Sequence, residues 1–425
     1  MTQFCGKHGT TSLTSQPRDF LGFIRSAKKL GFYPYFRPIS QSFGPEMELD
    51  GKRLVMLASN DYLGLSRDPR VVEASIGAMR QWGTGPGGSR FLCGNTTLHE
   101  ALEERLAAFV GKKKAIVHTT GFGANLGSLS CLSSSGNFIV CDKENHASIF
   151  EGCRASRARV IPFEHNSIES AAERVANVYR RHPEARTFLI TEGVFSMSGD
   201  LAILPQLVEL KKEFTKLLIY LDDAHGLGVM HSQGRGTPAH FSVTSEIDFI
   251  MGTFSKALAS IGGFIASDDE DALECLKHQS RTLIFSAALP VSNAAAALAS
   301  LEILEQEPER LERLHKNAQR ARAGYREIGL PILDGETPII PIPVGSEIRA
   351  AYLAKELLEH GIFALPAVYP AVPKGRAVIR TAFMATHEEH HIDFVLETLH
   401  GLSKKLGRTE GSHSLESLST YLNFQ

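Results

Sequence analysis

A lysine set among small residues is the first sign of chemistry in this chain. Residues 252–263 read GlyThrPheSerLysAlaLeuAlaSerIleGlyGly, so Lys256 follows an apolar run at once, with Thr253 and Ser255 beside it. A solvated loop lysine is the ordinary alternative, but a surface lysine needs no such neighbours. Partial desolvation lowers the pKa of an amine and lets it form a Schiff base. A second segment, LeuLeuIleTyrLeuAspAspAlaHisGlyLeuGly at 217–228, puts Asp222 and His225 just past another apolar run. A carboxylate there can hold the proton on a pyridine nitrogen, and an imidazole three residues on can reach a phenolic oxygen or a substrate. Asp-x-x-His after one strand and Ser-Lys after the next together point to a pyridoxal phosphate (PLP) site.

Two further segments fit that chemistry. ThrThrGlyPheGlyAlaAsn (119–125) lies between a strand and a helix, where free N–H groups and the helix dipole can cradle a phosphate. An ordinary strand–helix turn would also carry glycines. His146, in AspLysGluAsnHisAlaSerIle (142–149), follows another strand and could lie flat on a cofactor ring. Taken alone, it would more often be a core or surface histidine. Two literal pattern matches fail on context. Gly83–Gly88 fits G-x-G-x-x-G, but it follows a helix-like stretch (Arg70–Trp82) instead of a strand. His387–His391 fits H-E-x-x-H, yet no third ligand is evident, and Thr386-x-x-Glu389 reads as a capping box opening a solvated helix. No metal is expected.

Positioning these groups requires strand ends, and the chain supplies them. Lys114–His118, Asn137–Cys141, Arg159–Phe163, Thr187–Thr191, Leu217–Leu221, Phe249–Gly252 and Gly263–Ala266 are short, continuous and rich in Ile, Val, Leu and Phe. Helical patterns lie between some of them. Thr97-x-x-Glu100 and Asn166-x-x-Glu169 read as capping boxes opening two such helices. This alternation predicts an α/β fold with a mostly parallel seven-stranded sheet covered on both faces, and chemistry beyond the C-terminal strand ends. After about residue 290 the pattern changes to a long helix-prone stretch (Ala294–Ile328), a helix near Ile348–His360, an extended run Ala377–Arg380 and a final helix near His387–Leu402. The expected division is an N-terminal segment (1–58), a large domain (59–290), a smaller α+β domain (291–406) and a flexible tail (407–425). No internal repeat is evident.

The 425 residues are 43% apolar, ample for a buried core. Lys plus Arg (45) nearly balances Asp plus Glu (47), so no charge excess points to nucleic acid or anionic lipid. The six cysteines include no C-x-x-C pair, which argues for reduced, mostly buried thiols. The most apolar long window, 286–304, is broken by Pro290, Ser292 and Asn293, so a core helix is expected there and no membrane span. The N-terminus is polar, reads as a flexible arm and lacks a secretory apolar core.

From about Tyr33 to Gly401 the chain resembles the α-oxoamine synthases, PLP enzymes of fold type I that condense an amino acid with an acyl-CoA and lose carbon dioxide. The resemblance rests on SerAsnAspTyrLeuGlyLeu (59–65), GlyThrGly…GlySerArg (83–90), ThrGlyPheGlyAlaAsn (120–125), AsnHisAlaSer (145–148), GluGlyValPheSerMetSerGlyAsp (192–200), AspAspAlaHisGly (222–226), GlyThrPheSerLys (252–256) and the Arg380 region. It implies Lys256 as the Schiff-base lysine and Asp222 as the pyridinium partner. It implies His146 stacked on the ring, with His225 and Ser196 near the ring oxygen. Gly121, Phe122, Thr253 and Ser255 would hold the phosphate, and Asn60 and Arg380 would lie near the substrate carboxylate. GlyThrGly at 83–85 becomes a turn near the active site. The family's shared pockets imply a homodimer in which Ser286–Ala287 reaches the neighbour's phosphate.

Within the family, TyrProTyrPheArgProIle (33–39), SerIleGlyGlyPhe (260–264) and ProAlaValProLysGly (370–375) are most similar to the bacterial serine palmitoyltransferase branch. The implied reaction joins L-serine to a long-chain acyl-CoA, giving a 3-keto long-chain base, in a cytoplasmic protein at most peripheral to the inner membrane face. Two positions depart from the usual pattern: Ala288, where relatives carry serine, and ValTyrPro (368–370), where many carry Arg-Pro-Pro in a loop that touches substrate. The alternatives are an 8-amino-7-oxononanoate synthase or glycine C-acetyltransferase reaction, and a non-catalytic partner subunit of the same fold. The presence of Lys256, Asp222 and His146 argues against the last. A PLP-fold transcription regulator fails for want of a DNA-binding domain and a basic face.

Overall fold

A computed structural model of the chain describes residues 24–25, 27–29 and 31–408. The expected N-terminal arm and nearly all of the expected tail lie outside the described residues. All seven expected strands form one sheet, in the order Lys114–His118, Gly263–Ser267, Phe249–Thr253, Leu217–Asp222, Thr187–Glu192, Phe138–Asp142 and Arg159–Phe163. Several run one residue further than their apolar cores suggest, and the strand expected over Asn137–Cys141 is shifted to Phe138–Asp142. Six strands share one direction. Gly263–Ser267 alone runs against both its neighbours. The chain returns from Lys256 through a short turn, and so short a connection permits only an antiparallel partner.

The five inner strands are buried on both faces, while the edge strand Arg159–Phe163 leaves Arg159 and Pro162 exposed. In Leu217–Asp222, Leu217, Ile219 and Leu221 join one core, and Tyr220 points into the other. Helices Gly121–Leu132, Ala147–Ser156 and Glu270–Gln279 cover the Tyr220 side. Helices Thr97–Val110, Ile168–Arg181, Leu204–Lys212 and Val291–Gln306 cover the opposite side. The helix-prone stretch 294–328 divides at Pro308, which opens a second helix, Pro308–Glu327. Proline lacks the N–H that would continue the first helix and clashes with its last turn.

A smaller lobe contains the sheet Ile342–Gly345, Ala377–Arg380 and Leu365–Ala367, with helices Pro308–Glu327, Glu347–Glu359 and Glu389–Arg408. The N-terminal segment belongs to it: Lys52–Met56 pairs with Ile362–Phe363, and Val55 and Leu57 enter its core. Because Val291–Gln306 packs on the large core, the lobe boundary we propose lies nearer Pro308 than residue 291. No described helix is long and apolar enough to cross a membrane.

Three capping assignments are corrected. Helix Thr97–Val110 is capped by Thr96, whose extended backbone lets it share a reciprocal box with His99, and Thr97 already lies inside the helix. Ser167 caps Ile168–Arg181, while Asn166 turns left-handed with φ 49°. The last helix starts at Glu389, and Thr386 Oγ1 is buried without a partner. His387 and His391 are buried there, against the expectation of a solvated helix start. Their rings accept the Met384 and Glu388 N–H groups and so close the turn that leads into the helix. Of the described cysteines, all free, only Cys141 and Cys153 are buried.

Candidate active site

Beyond the C-terminal ends of the parallel strands lies a cavity of about 480 Å³. Asn60, Gly121, Phe122, His146, Ser196, Asp222, His225, Thr253, Ser255, Lys256 and Arg380, all eleven residues singled out in the sequence, line it. Glu192, Asp222 and Thr253 are the last residues of three strands, and each strand's length sets the depth at which its terminal side chain enters the cavity.

Lys256 Nζ donates to Thr253 Oγ1 at 3.0 Å and joins no ion pair among the described residues. Burial lowers its pKa, against the opposing pull of Asp222 and Glu192. Asp222 accepts from Asn125 Nδ2 at 2.7 Å and from the Ala224 N–H at 3.0 Å, and it too joins no ion pair among the described residues. Asn125 is held by the Tyr220 hydroxyl on its oxygen and also donates to Ser148 Oγ. Ser148 in turn bonds His146 Nδ1 at 2.7 Å and offers it the backbone N–H. With Nδ1 accepting, the His146 proton sits on Nε2. Burial lowers the His146 pKa and outweighs Asp222.

A second network joins the lobes. His225 Nδ1 lies 2.6 Å from the Tyr62 hydroxyl. Burial, then Lys256 and Arg380, hold His225 well below the ordinary histidine pKa, so it is neutral. Arg380, at the end of the small-lobe strand Ala377–Arg380, donates Nη2 to Asn60 Oδ1 at 2.9 Å and Nε to the Ser196 carbonyl at 2.7 Å. Ser196 thus engages Arg380 through its backbone.

Some groups escaped the sequence reading. Asn125 and Glu192 lie inside the quoted motifs at the strand ends, a position that could have drawn attention to both. Tyr62 gives no such signal, because its link to His225 spans 163 residues. Burial, reinforced by Asp222, pushes the Glu192 carboxyl well above the ordinary range. Further positions weighed in the sequence lie outside the cavity lining of this one chain. The turn at 83–85 does not line the cavity: Gly83 instead ends helix Pro69–Trp82. Tyr369 is 58% exposed and stands outside the cavity under Lys374 Nζ, and Ala288 is buried with its N–H on the Gly88 carbonyl.

The residues fit PLP, the cofactor expected from the sequence. A nearly buried carboxylate and a nearly buried amine face one cavity without forming an ion pair, as a protonated ring nitrogen and a reactive carbonyl would require. A Cβ at Gly121 would fall 2.3 Å from Thr253 Cγ2, so only glycine brings that helix N-terminus against the strand end.

A seven-stranded, mostly parallel sheet with lysine and aspartate at adjacent strand ends is the arrangement of fold type I. The chain belongs to the aminotransferase class I and II family, whose model matches residues 52–399. Within that family its relatives are α-oxoamine synthases. A serine palmitoyltransferase of Bacteroides thetaiotaomicron is 44% identical over 369 residues, which is 87% of this chain and 92% of the relative. The solved structure of a Sphingomonas wittichii serine palmitoyltransferase matches with TM-score 0.89 and 32% identity, covering 93% of this chain and 99% of that one. A solved structure described as SPT with PLP matches with TM-score 0.87 and 32% identity, over 91% of this chain and 98% of that one.

Proposed function

We propose that this protein is a PLP-dependent acyltransferase that condenses L-serine with a long-chain acyl-CoA such as palmitoyl-CoA, releasing carbon dioxide and CoA and giving 3-ketodihydrosphingosine. One observation carries the reading: Lys256, depressed in pKa by burial and in no ion pair among the described residues, shares its cavity with Asp222, which is likewise free of any cation there. The relatives supply the substrate pair.

When bound, PLP supplies an electron sink for the substrate Cα and a carbonyl for amine capture. Lys256 would hold the carbonyl end, Asp222 the pyridine nitrogen, and His146 the ring face. Gly121, Phe122, Thr253 and Ser255 would hold the phosphate, and His225 with Ser196 would lie near the ring oxygen. Asp222, oriented by Asn125 and the Ala224 N–H, keeps a proton on the ring nitrogen. Lys256 Nζ, whose pKa burial lowers, would take the proton from the amino-acid Cα and return one after carbon dioxide leaves. Arg380 and Asn60 receive the substrate carboxylate, and His146 orients it through Nε2.

The protein forms a homodimer in this reading. Phe91, Leu92 and Phe285 are exposed, and the Ala288 N–H to Gly88 carbonyl hydrogen bond joins the two loops that carry them. Light scattering that found an active monomer would refute it. The free cysteines suit a reducing cytoplasm.

The test combines labelling with a substrate screen. Borohydride treatment of PLP-loaded protein leaves an adduct on Lys256, and Lys256→Ala loses it. Serine perturbs the cofactor absorbance and then releases thiol faster from palmitoyl-CoA than from acetyl-CoA. Faster turnover of alanine or glycine than of serine across the acyl-CoA panel would overturn the substrate assignment in favour of the 8-amino-7-oxononanoate synthase or glycine C-acetyltransferase type.

A further inference from the structure

His165 stands outside the cavity, yet its ring spans two carboxylates. Nδ1 lies 3.1 and 3.2 Å from the Asp142 oxygens, and Nε2 lies 3.0 Å from Asp200 Oδ2. Glu144 Oε2 approaches Nε2 at 3.9 Å, and the Phe195 ring packs edge-on at 4.4 Å between centroids. Burial opposes a charged ring, but hydrogen bonds to Asp142 and Asp200 prevail and raise its pKa to about 10. Asn166 doubles the link, its N–H on Asp142 Oδ2 and its Nδ2 on Asp200 Oδ2.

Asp142 ends a strand of the rigid sheet. Asp200 closes the hairpin 193–202, where the Phe195 N–H meets the Asp200 carbonyl and the Ala202 N–H meets the Gly193 carbonyl. The other side of this hairpin meets the small lobe. Thr337 Oγ1 donates to the Gly199 carbonyl at 2.6 Å, and Arg380 Nε donates to the Ser196 carbonyl at 2.7 Å. Gly199 is left-handed (φ 73°), and a Cβ there would lie 2.4 Å from the Ile339 carbonyl oxygen, so the contact is close. The hairpin is therefore the seat of the Arg380 guanidinium, and His165 ties that seat to the sheet.

We propose that His165 is a positioning residue for amino-acid recognition: by bridging Asp142 and Asp200 it fixes the hairpin 193–202, whose Ser196 carbonyl sets the Arg380 guanidinium at the cavity. The inference rests on the proposed function only in taking Arg380 as the group that receives the substrate carboxylate. Glutamine at 165 can serve one carboxylate but not both. The substitution Asp200→Asn removes the charge at the more exposed end of the bridge and so weakens the same link.

The test uses His165→Gln, with Asp200→Asn read by the same criteria should the first variant fail to give a cooperative melt. Two quantities are compared with wild type: hydrogen exchange of amides 193–202 in cofactor-free protein, and the serine concentration that half-perturbs the absorbance of PLP-loaded protein. Faster exchange in the hairpin, with serine affinity weakened by about tenfold and PLP content unchanged, is expected for a carboxylate-binding group displaced by a fraction of an ångström. Unchanged serine affinity overturns the proposal whatever the exchange does, and so does a loss of PLP binding equal to the loss of serine. Wild-type protein that binds another amino acid in place of serine fails the proposed substrate alone. The variant is then compared on that amino acid, and an unchanged affinity again overturns the positioning role.

Discussion

Asn125 Nδ2 lies 2.7 Å from Asp222 Oδ2, which ties the N-terminal half of one helix to the end of a strand 97 residues later in the chain. The same amide accepts from the buried Tyr220 hydroxyl and donates to Ser148, so the carboxylate and His146 are oriented by a single side chain. Such a network restricts Asp222 to one rotamer before any cofactor arrives.

Replacing the carboxylate separates its charge from its place in this network. Asp222→Asn keeps a polar group beside Asn125 but cannot hold a proton on a ring nitrogen. Turnover should fall by roughly 10²–10³-fold, the usual loss for one aimed electrostatic contact. The thermal melt should change little. A variant within tenfold of wild type would mean that Asp222 is not the ring partner.

Tyr62→Phe removes the hydroxyl that His225 Nδ1 meets at 2.6 Å and that Arg380 Nη2 approaches at 3.4 Å. One neutral hydrogen bond is worth about 0.5–1.5 kcal/mol, so kcat/KM for serine should drop by up to about tenfold with PLP retained. Steady-state kinetics beside a cofactor assay distinguish this from a collapse of the pocket, in which both would fall.

The bridge at His165 also predicts a pH dependence. Burial disfavours its proton, but Asp142 and Asp200 raise the folded pKa to about 10 from the ordinary 6.5, so the folded state binds that proton more tightly than the unfolded chain does. The stabilisation is complete below about pH 6.5 and is lost as pH rises through about 10. The melting-temperature gap between wild type and His165→Gln should therefore narrow from pH 7 towards pH 10. A gap that stayed constant over this range would show that the ring is neutral in the fold.

The inner strands of the sheet were legible in the sequence because each is a short run buried on both faces. Apolar residues must be continuous there, and only the residue that leaves the sheet can be polar. That rule also exposed Asp222, Thr253 and Lys256, since a polar or charged group at such a boundary has few structural reasons to be there. Cap positions were less legible. Thr96 and Thr97, or Asn166 and Ser167, are equally good caps by residue type, and the backbone angle that separates them is set by how each helix docks on the sheet.

The amino-acid sequence by itself determined the sheet, the residues at its active edge and the chemistry of a desolvated lysine opposite an aspartate. Only the tertiary structure decided which distant groups orient them: Asn125 on Asp222, Tyr62 on His225, and His165 on the hairpin that seats Arg380. The physical reason is that burial patterning is a local property of the chain, written at spacings of two to four residues. A hydrogen bond between groups 97 or 163 residues apart leaves no periodic trace. It exists only once the strands have paired and the segments between them have packed on the sheet.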